Sequence, residues 1–460
     1  MRTLFDKIWD THRIGRRADG RELLYIDRHV VHELHAPHAF ADLQKAGRGV
    51  RRKDLTIFVQ DHTVPTRPGV PLGSSHIDAT RIGAKKYGVR LIDVAEPEHG
   101  IVHVVAPELG IALPGLTLAC PDSHASTVGA LGCLAFGCGT SELGHVLVTQ
   151  VMALAKPRQI RINFHGRLGR GVGAKDLALH LIGTVGVTAG RGYAVEYAGA
   201  AIRAMDIEAR MTLCNMTIEW GGRTCLIEPD EKTFAFCQGR PGAPTDAEWE
   251  AALAWWKTLA TDAGAVFDRE VDIDCADVAP QITWGTDPGQ TIGVTERVPA
   301  PQQSEKSPAA LALDYMGLAP GAAIAGVPID RVFIGSCSNA RLSDLRSAAD
   351  IVRGRKVAPG VSAIVVPGSS TIKRLAESEG LDEIFRSAGF EWHNSGCSMC
   401  AGANGDTGNP GERFVSTSNR NFENRQGRGV RTHLASPAMA AAAAIAGCIV
   451  DVRDMLQGNE

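Results

Sequence analysis

Arg331-Val332-Phe333-Ile334-Gly335-Ser336-Cys337-Ser338-Asn339 decides how this chain is read. An apolar run empties into glycine, serine and cysteine, the pattern of a buried strand that delivers Cys337 into a small-residue loop. A second stretch, Ser395-Gly396-Cys397-Ser398-Met399-Cys400, sets a C-x-x-C pair among residues small enough to leave room for a bulky group. Three thiolates gathered on loops suggest a soft metal centre, and iron–sulfur clusters are held by cysteine thiolates. Three protein ligands rather than four leave one iron open, as Lewis-acid work requires. Spacing alone also admits a zinc half-site, a redox pair or two packed cysteines.

Working outward, similar strand-then-loop units recur. Residues 23–29 read as a strand with polar residues at its end, and 35–43 as the start of a helix. Residues 55–59 form a second strand that delivers Asp61 and His62. Residues 91–94 and 101–105 continue the strand pattern, the latter containing His103. Residues 116–120 end in Asp122-Ser123-His124. Strands alternating with helices argue an α/β fold whose ligands sit beyond the carboxyl ends of the strands. Asp122, Ser123 and His124 also contain the residue types of a hydrolase triad, but consecutive residues on a strand alternate faces, which disfavours that reading.

The glycine- and arginine-rich stretch 166–173 reads as a hinge, followed by a helix through Ala174-Lys175-Asp176 to Ile182. Residues 211–220, with Glu219, and 248–260 read as helical. Residues 284–289 carry turn chemistry, and 299–308 form a low-apolarity surface linker. Strands at 332–334, 363–366 and 414–416 complete a doubly wound pattern. The expected division is an α/β domain over 1–170 with the acid–base loops, a second over 171–290, and a third over 291–460 carrying the cysteines. No internal sequence repeat is evident.

Composition excludes several classes. At 460 residues, with 44% hydrophobic and 22% charged residues, the chain is an ordinary multi-domain globular protein. A formal net charge of −3 points to neither nucleic acid nor an anionic membrane. Eleven scattered cysteines do not form a secreted disulfide framework; Cys120, Cys133, Cys138, Cys214 and Cys448 read as packed. Leu4, Phe5, Ile8 and Trp9 share one helical face, without the unbroken apolar core of a signal peptide. The alanine-rich run 438–450 is shorter than the ~20 residues of a membrane span. A cytoplasmic location is expected.

Taken together, Ile334-Gly335-Ser336-Cys337-Ser338-Asn339, Gly396-Cys397-Ser398-Met399-Cys400 and Ser416-Thr417-Ser418-Asn419-Arg420-Asn421-Phe422 resemble the aconitase family, with similarity over about residues 4–452. The resemblance implies an aconitase-like α/β fold of three domains around a central cleft with an iron–sulfur cluster. It implies one [4Fe–4S] cluster per chain on Cys337, Cys397 and Cys400, with one iron not ligated by protein. Asp61, His62, His103, Asp122, His124 and Glu219 match the family's acid–base set, paired as Asp61 with His62, Asp122 with His103, and Glu219 with His124. Arg420, Arg425 and Asn339 match positions that bind substrate or flank the cluster, and planar guanidinium forks suit carboxylates. Asn394 is a further candidate beside the cluster.

The implied activity is a hydro-lyase acting on a small dicarboxylic hydroxy acid. It would interconvert 2-isopropylmalate and 3-isopropylmalate by dehydration and rehydration in leucine biosynthesis. The alternative substrates are citraconate and 2-methylmalate, dimethylmalate or homoaconitate. Ser338, Ala340, Ser395, His38 and Pro121 depart from the family's usual residues, which bears on substrate rather than reaction. A separate small subunit is expected to bring a swivelling fourth domain with further arginines and the serine base, so the chain alone should be nearly inactive. Two readings from other classes are an RNA-binding regulator and a zinc-stapled structural protein. Arg428-Gly429-Val430-Arg431 imitates an RNA-binding segment, but the slightly acidic chain argues against nucleic acid.

Overall fold

Thr56–Val59, Thr117–Cys120 and Arg413–Ser416 are buried at every position. Such strands belong to parallel sheets covered on both faces, where no side of the pleat meets water. The computed structural model describes residues 1–301 and 307–456. The chain forms two compact units: Met1–Asp61, Gly73–His165 and Thr188–Ile273 make the first, and His62–Leu72, Gly166–Val187 and Asp274–Glu460 the second.

In the first unit, Arg90–Ile92, Thr56–Val59, Arg28–His32, Thr117–Cys120 and Leu134–Gly137 lie side by side in that order. All four pairings are parallel. Numbered by appearance in this sheet, the order is 3-2-1-4-5, and its switch point lies between Arg28–His32 and Thr117–Cys120. Loops leaving these two strands therefore diverge and open a crevice. A second sheet of this unit runs Thr224–Ile227, Tyr193–Ala198, Arg158–His165 and Arg269–Asp274, the first three parallel. A small antiparallel sheet joins Arg13–Arg16, Glu22–Tyr25 and Val151–Leu154.

The second unit repeats the topology. Glu391–Trp392, Ser362–Val365, Arg331–Ile334, Arg413–Ser416 and Arg431–Leu434 form a wholly parallel sheet, again 3-2-1-4-5. Phe333, Ile364, Val366, Met399, Phe414 and Val430 form one buried cluster with Cys400. The cysteine loop is thus packed onto the sheet's own core.

Several sequence expectations change. Residues 101–105 are not a strand: Val102–Glu108 is a helix, buried from Val102 to Pro107. Burial all round removes the periodicity that would have distinguished helix from strand. Residues 23–29 are not one strand but parts of two, Glu22–Tyr25 and Arg28–His32, in different sheets. At the break, the Asp27 carboxylate accepts from the Thr117 backbone at 2.8 Å. Residues 211–220 are helical as read, with Glu219 in the 3-10 segment Met216–Trp220 that follows the helix Ile207–Asn215. The linker expected at 299–308 falls partly outside the described residues, and Ser307 caps a helix that starts at Pro308.

The N-terminal helix Leu4–His12 buries Leu4, Phe5, Ile8 and Trp9 as their spacing indicates. The chain passes from the first unit to the second between His165 and Gly166. Among the described residues no helix is long and apolar enough to cross a membrane.

Candidate functional site

Cys337 sits three residues beyond the strand Arg331–Ile334, at the switch point of the second unit's sheet. The neighbouring strand Arg413–Ser416 delivers Thr417, Ser418 and Asn419 to the same crevice. The Thr417 hydroxyl ties the two loops together, accepting from Gly335 N at 2.8 Å and donating to Gly335 O at 2.9 Å. Cys397 and Cys400 arrive on a separate loop, with Ser398–Cys400 forming a 3-10 turn.

All three thiols are buried and free of disulfides. The Asn419 amide touches two of them: Nδ2 donates to Cys337 Sγ at 3.3 Å, and Cys400 Sγ donates to Oδ1 at 3.4 Å. Cys400 also contacts Ser336 Oγ at 3.3 Å. Ser336 and Ser398 adopt left-handed backbone, with φ of 80° and 47°, a conformation that costs a non-glycine residue free energy unless its surroundings impose it. Buried thiols outside any disulfide, brought by two loops with amide and hydroxyl groups at the sulfurs of Cys337 and Cys400, fit an iron–sulfur cluster, whose properties depend on such contacts.

Two side chains that sequence reasoning passed over hold these loops. One is Asn419 itself, which lay inside a quoted motif but was not assigned. The other is Lys175, 1% exposed, whose ammonium donates to Ser418 O at 2.7 Å, Thr417 O at 3.3 Å and Ser338 Oγ at 3.3 Å. A buried lysine is costly unless its protons are taken up; here three acceptors do so. The only local signal was a lysine in the first turn of a helix, where positive charge opposes the macrodipole.

The remaining loop candidates are placed as follows. Asn339 Nδ2 donates to Asp344 Oδ1 at 2.9 Å, at the start of the helix Leu342–Val352. Asn394 is exposed, and its backbone donates to Thr66 O. Arg420 is half-buried; Arg425, also half-buried, lies over the Phe422 ring at 5.3 Å. Among the residues that depart from the family, Ser338 donates to Thr417 O at 2.9 Å, Ser395 contacts Ser370 Oγ at 3.1 Å, and His38 is exposed.

In the first unit the acid–base candidates also follow strand ends. Asp122 caps the segment Ser123–Leu131 and accepts from His124 N at 2.7 Å. The same oxygen takes His103 Nε2 at 2.7 Å. His124 Nε2 donates to Glu219 Oε1 at 2.8 Å. The pairs His103 with Asp122 and His124 with Glu219 are therefore present as hydrogen bonds. Burial favours the neutral form of Asp122, but the imidazoles of His103 and His124 outweigh it and hold the carboxyl well below its ordinary value. Burial likewise opposes charge on His124, and the carboxylates of Asp122 and Glu219 prevail, raising its pKa.

Asp61 is buried; its backbone donates to Glu33 Oε2 at 3.0 Å, and its Oδ2 accepts from Val102 N at 2.9 Å. His32, Glu33 and Asp61 bring ligand-type atoms within 4.8 Å of one another. His62, the next residue, is half-buried.

The hydrolase triad is not assembled, though not for the reason of strand alternation, since Ser123 and His124 lie in a 3-10 segment. Ser123 Oγ is 3.4 Å from His124 Nδ1, outside the roughly 2.6–3.2 Å over which a base takes a proton.

The family model described as "Aconitase family (aconitate hydratase)" matches residues 6–447. The chain is 54% identical over 462 aligned positions, 99% of this chain and 97% of the relative, to "3-isopropylmalate dehydratase large subunit 1" of Bradyrhizobium diazoefficiens. Among solved structures, the holo-form crystal structure of Thermococcus kodakaraensis aconitase X aligns with 95% of this chain and 90% of its own, at a TM-score of 0.47 and 12% identity.

Proposed function

Because the chain belongs to the aconitase family, we propose that it is the large subunit of a two-chain hydro-lyase interconverting 2-isopropylmalate and 3-isopropylmalate in leucine biosynthesis. The observation that carries this reading is the set of three buried thiols outside any disulfide, two of them joined through the Asn419 amide. Cys337, Cys397 and Cys400 would hold one [4Fe–4S] cluster with one iron free of protein ligands. When bound, that group supplies a Lewis acid for hydroxyl and carboxylate oxygens.

The chain's own residues meet the other demands of removing water from a hydroxy diacid. Hydroxide is a poor leaving group, so its departure needs a proton. His124, whose pKa Asp122 and Glu219 raise against its burial, is suited to give one. The His103–Asp122 pair orients Asp122 against His124, and Asp61 with His62 forms a further pair for proton handling. Arg420 and Arg425 are the anchors for substrate carboxylates, with Asn339 beside them. The base for the carbon-bound proton and the remaining arginines are assigned to a separate small subunit with a swivelling domain. A division into α/β domains 1–170, 171–290 and 291–460, and a cytoplasmic location, belong to the same reading.

Anaerobic co-expression with a small-subunit candidate, followed by an ultraviolet assay of alkene formation, tests it. Turnover of 3-isopropylmalate that disappears in Cys397→Ser is the expected result. Turnover of 2-methylmalate alone would move the protein to another alkylmalate, an alternative that would explain the unusual Ser338, Ala340, Ser395, His38 and Pro121. A colourless protein containing zinc would sink the hydro-lyase reading.

A further inference from the structure

In both 3-2-1-4-5 sheets the candidate chemistry lies beyond the carboxyl ends of strands. The sheet of Thr224–Ile227, Tyr193–Ala198 and Arg158–His165 has no role in the function proposed above, yet it too holds something at that edge. Past Ala198 and Ile227 lies a cavity of about 130 Å³, against roughly 30 Å³ for one liquid water. Its charged wall consists of Arg161, Glu196, Arg203, Arg210, Glu228 and Asp230.

The arginines in this wall are under-used. Arg210 is 1% exposed. Its Nη2 donates to Asp230 Oδ2 at 2.5 Å and to Arg203 O at 3.4 Å, while its Nε and Nη1 are buried with no acceptor. Arg161 Nε is also buried with no acceptor; Glu196 Oε1 stands 3.7 Å away, too far for a hydrogen bond. A buried guanidinium N–H left unpaired is expensive, and two side chains lining one cavity leave three such nitrogens.

The acids do not cancel this demand. Asp230 is committed to Arg210. Glu196 accepts from Thr261 Oγ1 at 2.6 Å. Burial pushes Glu196 up to about 7; Thr261 and Arg161 oppose the rise, while Glu228 and Glu270 add to it. Burial also raises Glu228, against the pull of Arg161 and Arg203. Near neutrality Glu196 gives up part of its charge, whereas the guanidiniums keep theirs.

We propose that this cavity is a binding site for a small oxyanion, a carboxylate or a phosphate, held by Arg161, Arg203 and Arg210. The anion lies against the three guanidiniums, where a small side-chain rotation offers it the orphaned protons, and neutral Glu196 can donate to the same anion. Binding therefore takes up a proton, and affinity rises as pH falls through the range in which Glu196 titrates. The site is independent of the hydro-lyase assignment and stands or falls without it.

Calorimetric titration of the full-length, cluster-loaded chain at constant ionic strength tests this. The probes are succinate for carboxylates and sulfate for phosphate, sulfate being a tetrahedral anion that does not itself titrate near neutrality. Saturable binding of at least one probe is expected, with sulfate or succinate preference telling the two sources apart. Arg161→Ala should weaken binding by about tenfold or more with an unchanged melting temperature; it spares the Arg210–Asp230 pair, whose loss would endanger folding. For the probe that binds, affinity should be at least about threefold tighter near pH 6 than near pH 8, and Glu196→Gln should flatten that dependence. Saturable binding of neither probe, or binding that Arg161→Ala leaves untouched, would overturn the proposal.

Discussion

Two carboxylates, those of Asp122 and Glu219, outweigh the cost of burying His124 and raise its pKa. A raised histidine contributes stability that is complete below its unfolded value of 6.5 and is lost as pH rises through the higher folded value. Asp122 has the opposite sense: its contribution is present above 3.8 and disappears as pH falls through the depressed folded value. Glu219→Gln removes one carboxylate from His124. The alkaline limb of activity in the reconstituted enzyme should move down by about one pH unit, and the alkaline loss of melting temperature should begin earlier. An unshifted pH–rate profile would exclude His124 as the titrating acid. Asn419→Ala leaves all three thiols in place but deletes the amide shared by Cys337 and Cys400. Iron and sulfide retention after anaerobic reconstitution should weaken by about tenfold or more; retention equal to wild type would make the amide a bystander.

Elements show where local sequence carries enough information and where it does not. The strands around Cys337 were legible because a short apolar run ending in glycine and serine has few other solutions. Val102–Glu108 was not, because a helix buried on all sides loses its periodicity. The residue types of the site could be read beside their strands, but Lys175 could not: its contact with Thr417 spans 242 positions, and only the folded chain creates it. Lys175→Ala should therefore cost about 3 kcal/mol or more in urea unfolding, since it strips three buried acceptors at once. Gly199 marks the end of the strand Tyr193–Ala198. Its φ is 107°, and an added Cβ would stand 2.2 Å from Phe164 O, where the chain leaves the strand Tyr193–Ala198. Gly199→Ala combines left-handed strain with backbone overlap, and a loss of about 3 kcal/mol is expected from the same measurement.

For the molecule as a whole, a recurring topology is more informative than the absence of a sequence repeat. Two sheets share one strand order with no visible sequence kinship, since strand order depends on which runs are buried, not on their residue identities. The crevice each order creates was foreseeable; which loops would fill it was not. Global charge supports a further prediction. At −3 overall, the cluster-free chain should not retard RNA in a gel even at about 50 mM salt, where phosphate contacts are strongest. A salt-sensitive shift would favour the regulatory reading instead.

Burial of the thiols also has a practical consequence. Ten of the eleven cysteines are buried and Cys448 alone is partly open. A maleimide fluorophore added to native protein should attach there, about once per chain, because alkylation follows access. That one position would serve as a built-in labelling handle for single-molecule work, with no cysteine engineering. A stoichiometry climbing above one during storage would become an early gauge of sample decay, readable before activity is measured.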